Sequence, residues 1–192
     1  MSQSRSDKLL GPYTDFALLV LGFILTTVVG GFLTYRYQER ARADAERTAR
    51  LQAELVRATA VSEEVSRMLD RRLYRTRVLV WALKDKKQDA EIQVARVEYR
   101  KALADWNENL NRLYSSTEYS FGTELRQKLE SGLADRFRSI HGAIDNCVSG
   151  GDGCDPGKID DGINAFNPEI YFFDAQLLER INRGAVGAFR RD

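Results

Sequence analysis

From Phe16 to Leu33 the chain carries eighteen residues that are apolar, glycine or threonine, without one charge or proline. At ~1.5 Å of rise per residue a helix over this run is ~27 Å long, close to the hydrocarbon thickness of a bilayer. Asp15 and Arg36 bound it. Tyr13 and Tyr35 stand where interfacial aromatics belong. A helix satisfies its own backbone in lipid, and Thr26 and Thr27 can bond back within the turn. A buried core helix rarely runs this far uncharged. A signal peptide would end in a small-x-small cleavage site, whereas Gly30 and Gly31 are followed by Phe, Leu, Thr, Tyr and Arg. The run reads as a retained transmembrane helix, over 13–35, preceded by a short polar tail at 1–12.

Gly22, Thr26 and Gly30 fall four apart on one face of that helix. Such a stripe of small residues lets two backbones approach closely in lipid. Self-association through it, giving a homo-oligomer, is the expectation.

Sidedness has two opposed signals. Arg5 and Lys8 precede the run, while Arg36, Arg40, Arg42, Arg47 and Arg50 follow it. By the positive-inside rule this favours a single-pass protein of the cell membrane with its soluble part in the cytoplasm. Against it stand the only two cysteines, Cys147 and Cys154, joined by a glycine-rich stretch. A disulfide there would imply an oxidising compartment. The arginines are given more weight.

Beyond the anchor there is room for one domain with a real core. The net charge of +1 draws the chain to no nucleic acid. Prolines occur only at 12, 156 and 168, so long helices are favoured in between. From Arg36 on, helix formers follow without a breaker, so the anchoring helix is expected to continue out of the membrane. Its segment 36–60 is read as membrane-proximal. Leu51, Leu55, Ala58, Val65 and Leu69 offer a coiled-coil-like seam.

Residues 61–192 are expected to form a soluble helical bundle. The block Val78–Leu83, with Trp81 in it, is expected to be buried, and the polar residues 84–89 to reverse the chain. The next helix shows a heptad in Ile92, Ala95, Tyr99, Ala102, Trp106 and Leu113. Ser115 and Glu118 are spaced as a capping box, and Gly122-Thr123 offers a second start. Leu125, Leu129, Leu133, Phe137, Ile140, Ile144 and Cys147 mark a third helix. Residues 149–163 read as a Gly/Asp-rich loop. Asn167-Pro168-Glu169 has the form of a helix start, opening a fourth helix over Ile170, Phe173, Leu177 and Ile181. The fold class is therefore all-α: a single N-terminal transmembrane helix continuing into a long helix and an antiparallel bundle of about four helices.

Chemistry is sparse. His141 is the one histidine, with Asp145 four residues on, a pairing more often structural than catalytic. The loops at 150–153 and 155–158 lack Walker spacing and the alternating ligands of an EF-hand. No nucleophile elbow, zinc spacing or dinucleotide fingerprint occurs. No catalytic residue, metal ligand or cofactor is assigned, and the chain is read as no enzyme.

One cluster stands out. Arg67, Arg71, Arg72, Arg75 and Arg77 surround Tyr74, more guanidinium than the nearby acids neutralise. Arginine suits bidentate recognition of phosphate or carboxylate. The plainer expectation is pairing with the acidic C-terminal third, Asp160, Asp161 and Glu169 for instance.

The function expected is a non-enzymatic membrane-anchored scaffold, sensor or adaptor. Its partners would be the lipid bilayer, further copies of itself and another protein. Two alternatives are a membrane effector gated by an anionic ligand at the arginine cluster, and an extracytoplasmic sensory bundle.

Overall fold

A computed structural model describes residues 11–189, with side chains from Phe16 on. The expected interfacial Tyr13, the tail charges Arg5 and Lys8, and Asp15 lie outside the described side chains. The chain is all-helical, with no strand among the described residues. Four helices carry it: α1 (Gly11–Lys84), α2 (Asp89–Phe121), α4 (Ala134–Val148) and α5 (Pro156–Asn182). A short α3 (Thr123–Gln127) and a π-helical turn (Lys128–Leu133) lead into α4. Two compact units are formed, Met1–Arg50 and Leu51–Asp192.

In the first unit every side chain from Phe16 to Arg50 is exposed. Phe16–Leu33 is long and apolar enough to cross a membrane, and none of it is buried by protein. The hydroxyls of Thr26 and Thr27 donate to the carbonyls of Gly22 and Phe23, at 2.6 and 2.8 Å. Thr34 does the same to Gly30 at 2.8 Å. Bonded back onto its own turn, each hydroxyl keeps a partner without water.

The second unit has one hydrophobic core. Ala58, Val65 and Leu69 of α1 are wholly buried in it. These seam positions therefore serve the chain's own core. From α2 come Ala95, Tyr99, Ala102, Trp106 and Leu113 of the sequence heptad, while its first member, Ile92, is half-buried against the core. Phe137 stands at the centre, 5.9 Å from the Trp106 ring and edge-on to Phe166 at 4.9 Å. Such tilted and edge-to-face pairs add to the area they bury.

Polar pairs fix the level of each helix against the next. Arg57 and Glu54 of α1 meet Tyr119 of α2 at 2.9 and 3.0 Å. Further on, Glu64 meets Arg112, Arg71 meets Asp105 at 2.7 Å, and Arg75 meets Glu98 at 3.4 Å. Residue number climbs along α1 as it falls along α2. Between α1 and α5 the order also runs down: Ser66 with Asp174 at 2.7 Å, Lys84 with Asp160 at 2.6 Å.

The chain reverses after Lys84. The amides of Asp85 and Lys87 bond to the carbonyls of Trp81 and Ala82, and Lys86 takes a φ of 50°. Trp81 itself is a correction: it is 45% exposed, whereas Leu79 and Val80 beside it are buried. Its indole N–H donates to the buried carboxylate of Asp160 at 3.2 Å, so its polar edge turns inward while much of the ring faces out.

Two helix starts also differ from expectation. α2 runs through Ser115 and Glu118 to Phe121, so no capping box forms there. Thr117 and Ser120 are buried within the helix, and apolar contacts of Leu113, Tyr114 and Phe121 carry it past these weak helix formers. α5 begins at Pro156, not at Pro168. Asp155 caps it, accepting from the Lys158 amide at 3.1 Å, with Pro156 in the first turn. Pro168 lies inside the helix. The buried stripe Ile159, Ile163, Phe166, Ile170, Phe173 and Leu177 holds α5 together across it. The loop shrinks accordingly.

In the third helix, Leu125, Leu129, Leu133 and Phe137 are spaced by four. In an α-helix that spacing drifts by about 40° per step. The wider π turn at Lys128–Leu133 takes up the extra residue, and all four side chains stay buried.

Candidate functional site

The five arginines of α1 do not converge. Arg71 pairs with Asp105 at 2.7 Å, Arg75 with Glu98 at 3.4 Å, and Arg67 with Glu64 at 3.8 Å. Lys101, bonded to Glu98 with Arg75 and Arg71 behind it, holds that carboxyl below its usual range. Arg77 lies over the Trp81 ring at 5.9 Å, its Nε buried without a hydrogen-bond partner. None of the five makes an ion pair with Asp160, Asp161 or Glu169 among the described residues. Lys84 bonds Asp160, holding its carboxyl down, and Arg136 meets Glu169 at 3.2 Å.

Arg72 is the most deeply buried of the five. It is 5% exposed and makes no ion pair among the described residues. Its guanidinium stands over Phe137 at 4.3 Å and Trp106 at 5.1 Å. Burial lowers its pKa to about 10, opposed by the nearby Tyr99 and Tyr114. It is a cation sandwiched among aromatic faces, a setting in which each ring contributes ~1–2 kcal/mol against desolvation.

From this buried charge a polar line leads outward between α2 and α4. The Tyr99 hydroxyl lies 2.6 Å from His141 Nδ1, and His141 Nε2 lies 3.2 Å from Asp145. A neutral imidazole protonated on Nε2 satisfies both: Tyr99 donates to Nδ1, and Nε2 donates to the carboxylate. Burial pushes the Tyr99 phenol up to about 12, so it stays a donor at neutral pH.

Beside His141 opens a cavity of about 250 Å³. Leu79, Leu103, Ile144 and Val148 form its apolar wall. Its polar groups are Arg96 and Arg100 with Tyr99 on α2, and His141 with Asp145 on α4. Neither Arg96 nor Arg100 makes an ion pair among the described residues. The sequence holds a signal for this: neither arginine has an acid three or four residues away in either direction.

No family model, curated protein or solved structure matches this chain.

The remaining candidate positions are placed as follows. Cys147 and Cys154 are disulfide-bonded, closing the loop after α4. Gly22, Thr26 and Gly30 are exposed, and a Cβ added at either glycine meets nothing within 4 Å. No group of three histidine, cysteine or carboxylate side chains lies together among the described residues. A larger cavity, about 560 Å³, lies at the α1–α2 turn against Val78, Trp81, Ala82 and Val94, rimmed by charged side chains.

Proposed function

We propose that the chain is a single-span membrane protein whose helical unit serves as a non-enzymatic sensing or scaffolding module. The observation that carries this is the run Phe16–Leu33, uncharged and wholly exposed along α1. A run of eighteen uncharged residues, most of them large and apolar, would in water be an exposed patch far beyond what soluble monomers tolerate. Lipid removes that penalty. The helical unit Leu51–Asp192 keeps a core of its own, as an anchored module requires.

The unit is read as an antiparallel bundle. The register of the pairs supports this: Arg57–Tyr119, Glu64–Arg112, Arg71–Asp105 and Arg75–Glu98 run oppositely along α1 and α2. Tyr99–His141 and Trp106–Phe137 do so for α2 and α4. Arg180–Glu124 and Arg136–Glu169 do so along α5 and the helix before it. Up-down-up-down connection with short turns is the common solution for such helices. Homo-oligomerisation through Gly22, Thr26 and Gly30 belongs to the same reading, supported by the open face at those residues. Another protein is the partner expected of a scaffolding module.

Extraction of membranes at alkaline pH tests the anchor. The protein is expected to stay with the lipid pellet; release into the supernatant would remove the reading.

On sidedness, the arginines Arg36–Arg50 favour the cytoplasm. The bonded pair Cys147–Cys154 supports a second reading, an extracytoplasmic sensory bundle. Alkylation of thiols in intact and in lysed, unreduced cells separates them. Free thiols in lysed cells speak for the cytoplasm, and blocked thiols for the oxidising side.

A further inference from the structure

We propose that the cavity between α2 and α4 binds a small organic oxyanion, a carboxylate or phosphate head on a compact apolar body. This site goes beyond the anchoring role and does not depend on it.

The charge balance is the first argument. Arg96 and Arg100 sit one turn apart on the same face of α2, on either side of Tyr99, and both line the cavity. Every arginine of the α1 cluster has a carboxylate or an aromatic face to meet. Among the described residues Arg96 and Arg100 have neither. The lining also holds one carboxylate, Asp145, and it is engaged by His141 Nε2 at 3.2 Å. Two guanidinium charges thus face one carboxylate already in use, and an excess of positive charge remains.

The hydrogen-bonding inventory points the same way. Guanidinium groups offer only donors, in a fork that matches two oxygens of a carboxylate or phosphate. The wall behind them is apolar: Leu79 from α1, Leu103 from α2, Ile144 and Val148 from α4. Arg96 is half-buried beside this wall and Arg100 is exposed at the mouth, and the wall favours a ligand with an apolar body over a bare ion.

The site also has a fixed geometry. Tyr99 is 4% exposed and bonded to His141, which ties α2 to α4 at this level. The disulfide at Cys147 pins the chain one turn beyond Ile144. A preformed cavity avoids the ordering cost of closing around its ligand.

His141 is the only histidine, so its imidazole resonances report on this site alone. Full-length protein in phosphatidylcholine nanodiscs is titrated at constant ionic strength with benzoate, phenyl phosphate, benzamide and chloride. A saturable shift of His141 with benzoate or phenyl phosphate is expected. Benzamide, which has the ring without the charge, should bind at least about tenfold more weakly, the worth of one charge-assisted hydrogen bond. Chloride should give no saturation. The double variant Arg96→Gln, Arg100→Gln should weaken binding by about tenfold or more, while Arg67→Gln leaves it unchanged. Absence of saturation by both anionic probes overturns the proposal, as does equal binding of benzamide or an unaffected double variant. A His141 shift that appears only with phosphatidylglycerol in the disc assigns the charge to lipid and overturns it too.

Discussion

The Tyr99 hydroxyl and His141 Nδ1 lie 2.6 Å apart, bridging two helices 42 positions apart in the chain. The phenol is buried, the imidazole half-exposed, and the bond marks where the core of the helical unit meets its surface. Replacing Tyr99 by Phe keeps the ring and deletes the bond. A loss of about 1 kcal/mol in denaturant unfolding is expected, the net value of one such interaction. The same substitution should abolish a late step in a tyrosinate absorbance titration. The phenol titrates at about 12 in the folded protein against an ordinary 10.0. The folded state therefore holds a proton that the unfolded state has released. This contribution to stability is intact below pH 10 and lost as pH rises from about 10 to about 12.

The start of α5 is decided by two substitutions. With the helix beginning at Pro156, Pro168 is interior and deprives the Asn164 carbonyl of its partner. Pro168→Ala should then stabilise the protein by about 1–3 kcal/mol. Asn167→Ala should be neutral or slightly stabilising. Were Asn167 the cap and Pro168 the first residue, Asn167→Ala would cost about 1 kcal/mol. Asp155→Ala is expected to carry that cost instead, and unfolding curves of the three variants rank them.

Ser66 and Asp174 give a pH-dependent test. Burial raises the Asp174 carboxyl above its usual range, with Ser66 opposing and Asp70 adding to the rise. Between the unfolded and folded values the folded state binds the extra proton. Stability from this group is therefore present at acid pH and falls as pH rises through that window. Asp174→Asn keeps an acceptor for the Ser66 hydroxyl at 2.7 Å and removes the charge. It should stabilise the protein at pH 7 by roughly 0.5 kcal/mol, the gain shrinking as pH is lowered.

How legible all this was depended on the range of the interactions. The heptad Ile92, Ala95, Tyr99, Ala102, Trp106, Leu113 could be read because burial repeats on one helix face; five of the six are buried, and Ile92, near the helix start, is half-buried. The turn after Lys84 followed from a polar break between two apolar stretches. The start at Pro156 was missed because Asn167-Pro168-Glu169 is an equally good local signal. Only the burial of Ile159 and Ile163 against other helices decides between them. Trp81 looked like core because its neighbours are apolar; its place at the surface depends on Asp160, 79 positions away. At the site, His141 with Asp145 was legible as an i, i+4 pair. Tyr99 as its partner was not, since helix packing alone brings them together. The Arg67–Arg77 cluster drew notice by density, yet density says nothing of the acids that α2 supplies.

Arg72 makes a further test of that cluster. Among the described residues Arg72 makes no ion pair, and the faces of Phe137 and Trp106 do no more than offset its desolvation. Arg72→Met, similar in length and apolar, should leave stability unchanged or raise it by about 1 kcal/mol or more. A loss of about 3 kcal/mol would contradict this and show that the faces of Phe137 and Trp106 more than offset the desolvation.

The anchor is tested most directly by depth. A nitroxide placed at Leu25 through Leu25→Cys, in full-length protein reconstituted in vesicles, reports its access to oxygen and to a water-soluble nickel chelate. Cys147→Ser and Cys154→Ser remove the two native sulfurs in the same protein, so the label goes to position 25 alone. Oxygen access is expected to be highest at Leu25 and to fall toward Phe16 and Leu33, with the chelate excluded at the centre. Free access of the chelate at Leu25, or a label shielded from both, would contradict a membrane span.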